Sequence, residues 1–356
     1  MSALYPTCGH LTGAFAIYRL PYEDHATLIR QNEGEPVELF SCQELNGRQG
    51  FVVAPFQVTT FQPILLIHPD EVESVECRIG DAGQLDYPKT QQHSQQGTYA
   101  IDYANYHAQL KLGTFRKIVL ARCAEEETVQ PIDPMELFLR ACERYPRMFI
   151  ALVSTAKSGC WLTATPEILL QSEGDRWRTI ALAGTMKLRD EQLNSEGETV
   201  AWSTKNIQEQ RIVSTYITEC LEQFTADFQE EGPRTVRAAN LVHLRSDFTF
   251  SLPDNALLGD LLHTLHPTPA VCGLPKREAF DFIVHNEHTP RRYYSGFMGP
   301  IGAETHLYVS LRCMNIEGCH YHLYAGGGLL KDSTEEQEWQ ETEAKLETMR
   351  NLLMHK

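Results

Sequence analysis

Three acids recur at spacings that suit a hard cation. In the C-terminal stretch K-D-S-T-E-E-Q-E-W-Q-E-T-E-A-K-L-E-T-M, Glu338, Glu341 and Lys345 stand at i, i+3 and i+7. On a helix they form a stripe about 100° round from the apolar stripe of Trp339, Leu346, Met349 and Leu353. Ser333 and Glu336 form a capping box that is expected to start this helix. The charged stripe reads equally as a solvated face carrying a Glu341–Lys345 pair. In S-T-K-N-I-Q-E-Q-R-I-V-S-T-Y-I-T-E-C-L, a second expected helix, Glu209 precedes Val213 by four residues and shares its apolar face with Ile217, Cys220, Leu221 and Phe224. A carboxylate there is costly unless it is paired or bound to a cation. The plainer alternative is an exposed helix start, where an acid suits the dipole. A divalent ion such as Mg²⁺, held by one or two carboxylates plus substrate oxygens, would account for Glu209, Glu338 and Glu341 together.

A lysine raises a different question. In R-K-I-V-L-A-R-C, Arg116 to Cys123, Lys117 leads a wholly apolar run that reads as a buried strand. A core strand does not take an ammonium with it cheaply. Other segments supply site-forming backbone. T-P-E-I-L-L sets Glu167 between a proline and an apolar strand, and I-A-L-A-G-T runs a small-residue strand into Gly184 and Thr185. Glycine there lets a ligand approach the backbone closely. Y-A-G-G-G-L, with Gly326 at its centre, reads as a glycine-rich turn running directly into the last helix. L-H-P-T-P-A-V-C-G-L-P, with His266, reads as a shaped loop leading into another helix.

The elements that must position these residues are those of a large globular chain. It has 356 residues, of which 42% are hydrophobic and 22% charged, enough for a sizeable core. Residues 1–97 read as a mainly β region integrated into the same fold, and 98–356 as the catalytic region. Pro88 to Gly97 reads as a polar surface loop between them. Tyr99, Tyr103, Tyr106 and Leu110 fall at helical spacing and read as core. The net charge of −16 argues against nucleic acid and anionic membranes as partners. It leaves room for an anionic small substrate in a locally basic site. Ten cysteines without a C-x-x-C pair, and no secretory pattern at the N-terminus, imply reduced thiols and a cytoplasmic location. No apolar run approaches a membrane span.

Taken in order, K-I-V-L-A-R, T-P-E-I-L-L, A-L-A-G-T, L-H-P-T-P-A-V-x-G-x-P, Y-Y-S-G-x-x-G and A-G-G-G-L…E-W-Q-E-T-x-x-K resemble the chorismate-utilising enzymes. That family includes the isochorismate synthases, the salicylate synthases and the large subunits of anthranilate and aminodeoxychorismate synthases. The resemblance covers roughly Tyr99 to Leu353. It implies an α/β (α+β) fold of large, mainly antiparallel sheets flanked by helices, with the site in a cleft between two lobes. Lysine at position 117 resembles the water-adding branch, since ammonia-adding relatives typically have glutamine there. That implies a monomer with no glutamine amidotransferase subunit.

By resemblance, Mg²⁺ on Glu209 and Glu341, with Glu338 close by, binds the ring carboxylate of chorismate. Lys345, Gly184 and Thr185 assist. Arg312 and the amides around Gly326 hold the enolpyruvyl carboxylate, and His266 lies near the leaving hydroxyl. Lys117, its pKa lowered by desolvation, is the base for water, and Glu167, kept neutral by burial, is the acid. The implied activity is isochorismate synthase. Salicylate synthase and a non-catalytic chorismate binder remain as alternatives, and the pathway served, menaquinone or siderophore, stays open. One departure is that relatives often read K-D-x-x-E-H where this chain has K-N-I-Q-E-Q, so Asn206 and Gln210 replace an acid and a histidine. Arg122 is expected to form a structural ion pair near the site.

Overall fold

In the computed structural model, the described residues are 13–77, 91–93, 96–187, 201–238, 241–252 and 257–354. Among them, two antiparallel sheets of ten and nine strands make up the fold. The first follows the path β15 (Gly273–Leu274), β8 (Lys117–Glu127), β19 (His320–Leu329), β18 (Cys313–Glu317), β10 (Gly159–Thr165), β9 (Phe149–Thr155), β1 (Ala14–Arg19), β2 (His25–Gln31), β6 (Glu71–Glu76). A further strand, β7 (Gln91–His93), pairs with β8. The second follows β13 (Phe228–Ala238), β14 (Leu241–Ser251), β12 (Arg176–Lys187), β11 (Ile168–Glu173), β17 (Thr305–Val309), β16 (Phe297–Ile301), β4 (Gly50–Ala54), β5 (Ile64–Ile67), β3 (Val37–Leu39). Residues from the N-terminal region thus extend both sheets rather than forming a sheet of their own.

The sheets face each other across a shared core. Phe149, Ala151 and Val153 of β9 meet Phe51, Val53, Ile180 and Tyr308 of the other sheet there. Ile150 and Leu152 point the opposite way, onto α2 (Pro134–Arg144) and α6 (Glu335–Leu353). A strand covered on both faces needs apolar residues at every position, which is why F-I-A-L-V shows no alternation. On the outer face of the second sheet, α3 (Thr204–Leu221) and α4 (Leu258–Leu265) bury Val213, Ile217, Leu221, Leu261 and Leu262. The tyrosine stripe of α1 (Gln96–Leu112) and Ile283 of α5 (Lys276–Asn286) cover Ile118, Leu120 and Leu329 near the start of β8.

Three local expectations need correction. Part of the stretch read as a polar loop is strand, since Gln91 to His93 pair with Glu125 to Glu127 of β8. Gln96 and Gly97 already belong to α1, while residues 88–90 and 94–95 lie outside the described residues. Gly326 to Gly328 form no turn. They sit inside β19, in register with Val119 to Ala121. The capping box is also absent: α6 starts after Thr334, and the Ser333 hydroxyl accepts the Leu330 N–H at 3.0 Å. That hydroxyl ties off the chain between β19 and the helix instead of satisfying the helix end.

Candidate active site

Lys117 is the first residue of β8, and both neighbours of that strand pin it. Leu274 of β15 pairs with it on one side, and β19 runs along the other. Its side chain is fully buried, and Nζ lies 2.9 Å from Glu209 Oε1 on α3. The contact has the distance of an ion pair without the alignment of a hydrogen bond. Gly328 makes room for it. A Cβ at Gly328 would fall 2.1 Å from Glu209 Oε1 and 2.8 Å from Lys117 Cε. The glycines of β19 are thus required by what stands over each strand face. Gly327 faces Glu338 Oε2, and Gly326 faces the Tyr294 hydroxyl.

A cavity of about 60 Å³ opens beside this pair. Of the residues singled out from sequence, Glu167, Gly184, Thr185, Glu209, Arg312, Gly326 and Lys345 line it. Glu167 is buried at the corner between β10 and β11. Burial drives its pKa up to about 8, against the weaker pull of Lys117, Lys345 and Arg312. Arg312 is buried with a left-handed backbone, φ 48°, and its Nη1 has no hydrogen-bond partner. Desolvation lowers its pKa to about 10. Lys345 Nζ donates to Gly326 O at 2.8 Å and to Glu341 Oε1 at 2.7 Å. Gly184 is a bulge in β12 with φ +70°, where a side chain would press on Asn206 at 3.1 Å.

The three acids are not in contact as a metal cage. Among the described residues no three His, Cys, Asp or Glu side chains converge as ligands. Glu209 is tied to Lys117, Glu341 to Lys345, and Glu338 to Lys205. Yet the ammonium of Lys205 feels all three acids. Burial works against its charge, but Glu338, Glu341 and Glu209 together raise its pKa. Desolvation, and then the closeness of Glu341, push Glu338 up. Glu338 Oε2 is buried without a partner. Carboxylates crowded round one positive charge, with an oxygen to spare, are a donor set that fits a small hard cation.

His266 is placed away from the cavity wall. Its ring packs edge-on against Phe297 at 5.0 Å, and both nitrogens are buried without partners. Desolvation lowers its pKa to about 3, so it stays neutral. Arg122 forms the expected ion pair, with Glu343, and lies 3.8 Å over the Trp339 ring on the α6 side of the sheet. Gln210, which stands where relatives often have histidine, staples α3 to β12: its Oε1 accepts from Ala183 N at 2.9 Å and its Nε2 donates to Ala181 O at 3.1 Å.

Sequence reasoning missed His243 and Tyr294, which also line the cavity. Arg312 Nη2 donates to His243 Nε2 at 2.6 Å, so the ring proton sits on Nδ1, 3.1 Å from Gly184 O. Burial, then Arg312 and Lys345, hold the His243 pKa well below its ordinary value, which fits a neutral acceptor. The signal was available. L-V-H-L-R-S-D alternates polar residues through an otherwise apolar strand.

The family model for chorismate binding enzymes matches residues 76–354. The chain belongs to the chorismate-binding enzyme family. It is 32% identical over 243 residues to the isochorismate synthase EntC of Escherichia coli, covering 66% of this chain and 62% of that protein. It is 31% identical over 246 residues to the isochorismate synthase MenF of the same organism, covering 68% and 56%. The alignments thus span about three fifths of those relatives' own length. The solved structure of the menaquinone-specific isochorismate synthase MenF from Escherichia coli matches with a TM-score of 0.81 at 23% identity, over 97% of this chain and 89% of that one. Anthranilate synthase component I from Streptococcus pneumoniae matches at 0.70 and 15%, over 98% and 91%. Both structural likenesses concern the fold. No helix among the described residues is long and apolar enough to cross a membrane.

Proposed function

We propose that this chain is an isochorismate synthase, converting chorismate to isochorismate by adding water at C2 and releasing the C4 hydroxyl. The observation that carries this is a fully buried lysine and, on the wall of one small cavity rich in cationic groups, a buried carboxyl that burial pushes toward its protonated form. An acid and a base held in different protonation states are what a hydroxyl exchange across a ring requires.

Arg312, with its free Nη1, holds the enolpyruvyl carboxylate together with the backbone near Gly326. Lys345 and the Gly184–Thr185 bulge orient the ring carboxylate. Mg²⁺ on Glu209 and Glu341, with Glu338 close by, would neutralise that carboxylate when bound. With Glu209 drawn to that cation, Lys117 would leave its ion pair and, as the neutral amine, accept a proton from water as the water oxygen bonds to C2. The double bonds shift, and Glu167 gives its proton to the hydroxyl departing from C4. His266, off the cavity wall, acts by shaping the loop that carries β15 against Lys117. Since water is the nucleophile, an amidotransferase subunit is not called for.

The test is incubation with chorismate and Mg²⁺ in ¹⁸O-water, followed by mass spectrometry. Labelled isochorismate without pyruvate is expected. Equimolar salicylate and pyruvate would make the protein a salicylate synthase, and absence of turnover would make it a non-catalytic binder. Chelation by EDTA should stop turnover, and added Mg²⁺ should restore it.

A further inference from the structure

Polar residues at alternating positions of β14 continue outward from the cavity. His243, Arg245 and Asp247 share one face of the strand, the face that looks toward the other sheet. Leu182, which lines the cavity, is the ladder partner of Arg245. At the far end Asp247 is buried, and three arginines converge on it. Arg178 Nε donates to its Oδ1 at 2.9 Å, Arg245 Nη2 to the same oxygen at 2.7 Å, and Arg234 Nη2 lies 2.5 Å from Oδ2. Along a strand, His243 to Asp247 spans roughly 14 Å.

This cluster exceeds what one buried carboxylate needs. Arg234 and Arg245 are direct ladder partners, an arrangement that places like charges opposite each other and costs stability. The exposed Glu231, ladder partner of Asp247, brings the local acids to two against three guanidiniums. Arg178 and Arg234 keep 38% and 45% of their side chains exposed, so N–H groups remain open to solvent. The chain as a whole carries −16, a field that repels a dianion. The arginine cluster, on the strand that carries His243 to the cavity, offsets that field locally.

We propose that Arg178, Arg234 and Arg245 form an outer, positively charged capture patch that draws dicarboxylate anions toward the mouth of the cavity lined by His243 and Arg312. The proposal rests on the chorismate reading for the identity of the anion. The outer arginines touch no reacting atom. They raise the rate of productive capture, so they act on kcat/KM and leave kcat alone.

The experiment compares wild type, Arg178→Gln/Arg234→Gln and Arg178→Lys/Arg234→Lys with chorismate and Mg²⁺ at ionic strengths from about 0.02 to 0.3 M, a range over which screening changes strongly. In the glutamine variant kcat/KM should fall about five- to tenfold at low salt, at the modest end of steering effects. Its kcat should be unchanged and its salt dependence flattened. The lysine variant, which keeps the charge and loses the fork geometry, should retain most of the capture. Equal kcat/KM in all three at low salt overturns the proposal, and so does a loss in the glutamine variant that is salt-independent and not rescued by lysine. Chorismate binding is measured in parallel by calorimetry. If wild type binds without turnover while the variants lose salt-dependent affinity, the synthase reading fails and the capture site stands.

Discussion

Glu209 and Glu167 are the same side chain, 8% and 4% exposed on different walls of one cavity. Burial pushes both carboxyls toward the protonated form. At Glu209 that push is overcome by Lys117, 2.9 Å away, and then by Lys205, so its pKa falls below the ordinary value. At Glu167 the cations Lys117, Lys345 and Arg312 act without touching it, and its pKa stays at about 8. Coulomb energy falls with distance and with intervening solvent, so contact decides which carboxyl ionises. One lysine therefore sorts two acids into a paired anion and a proton donor. That division is what the proposed chemistry needs, and each half of it can be broken separately.

The largest effect is expected from Lys117→Met. Turnover should fall roughly 10²–10⁴-fold, the usual worth of a general base. The variant should also lose stability, because Glu209 is left as a buried charge without its partner, which typically costs about 3–5 kcal/mol. Adding Glu209→Gln should restore the melting temperature and leave activity lost. Near-normal turnover in Lys117→Met would remove the base assignment. Glu167→Gln comes next. The amide mimics the neutral carboxyl, so the variant should melt like wild type in acid and should gain rather than lose stability toward neutral pH, while kcat falls by roughly 10²–10³. A melting-temperature loss as large as that of Glu209→Gln would mean the two acids are not in different states. Gly328→Ala should come third. Its methyl meets the Glu209–Lys117 pair at 2.1 Å and 2.8 Å. Overpacking of this kind costs about 1–3 kcal/mol. The readout is Mg²⁺-dependent affinity for chorismate, expected to drop about tenfold, which corresponds to 1.4 kcal/mol.

Much of this comparison was legible before any coordinates. Lys117 and Glu167 stood out because each stands directly before an apolar strand, a charged group at the edge of the core. The stripe of Glu338, Glu341 and Lys345 came from helical spacing. What could not be read was long-range. The pairing of Lys117 with Glu209 joins β8 to α3 across 92 positions of chain, as 209 − 117 shows, and no local pattern encodes it. The triple glycine misled because glycine marks turns more often than it marks strands approached from both faces. Gln91 to His93 misled because they are polar, and their pairing depends on the free edge of β8 at Glu125 to Glu127. The alternation around His243 marked a polar strand face but not what that face meets. His243 matters because the Gly184 bulge within β12 and Arg312, just before β18, arrive on either side of it.

The smallest effect is a slope, and its sign separates the two acids. Glu167 must be protonated to act, so kcat/KM should decline about tenfold per pH unit once the pH passes roughly 8. Stability follows the same proton. The folded pKa of Glu167 lies above the unfolded value of about 4.3, so the folded state holds the proton more tightly. Its contribution is complete below about pH 4.3 and is lost as the pH rises through about 8, with a slope of up to 1.4 kcal/mol per unit between. For Glu209 the folded pKa is depressed, so its contribution runs the other way and is lost as the pH falls. Wild type and Glu167→Gln are therefore to be melted across pH 5 to 9. The glutamine variant should lack this decline, so the two curves should lie close together in acid and draw apart as the pH rises to about 8, because unfolded wild type gives up a proton that the folded state keeps. Parallel curves would mean that Glu167 is already ionised at neutral pH, and the proton for the leaving hydroxyl would have to come from another group.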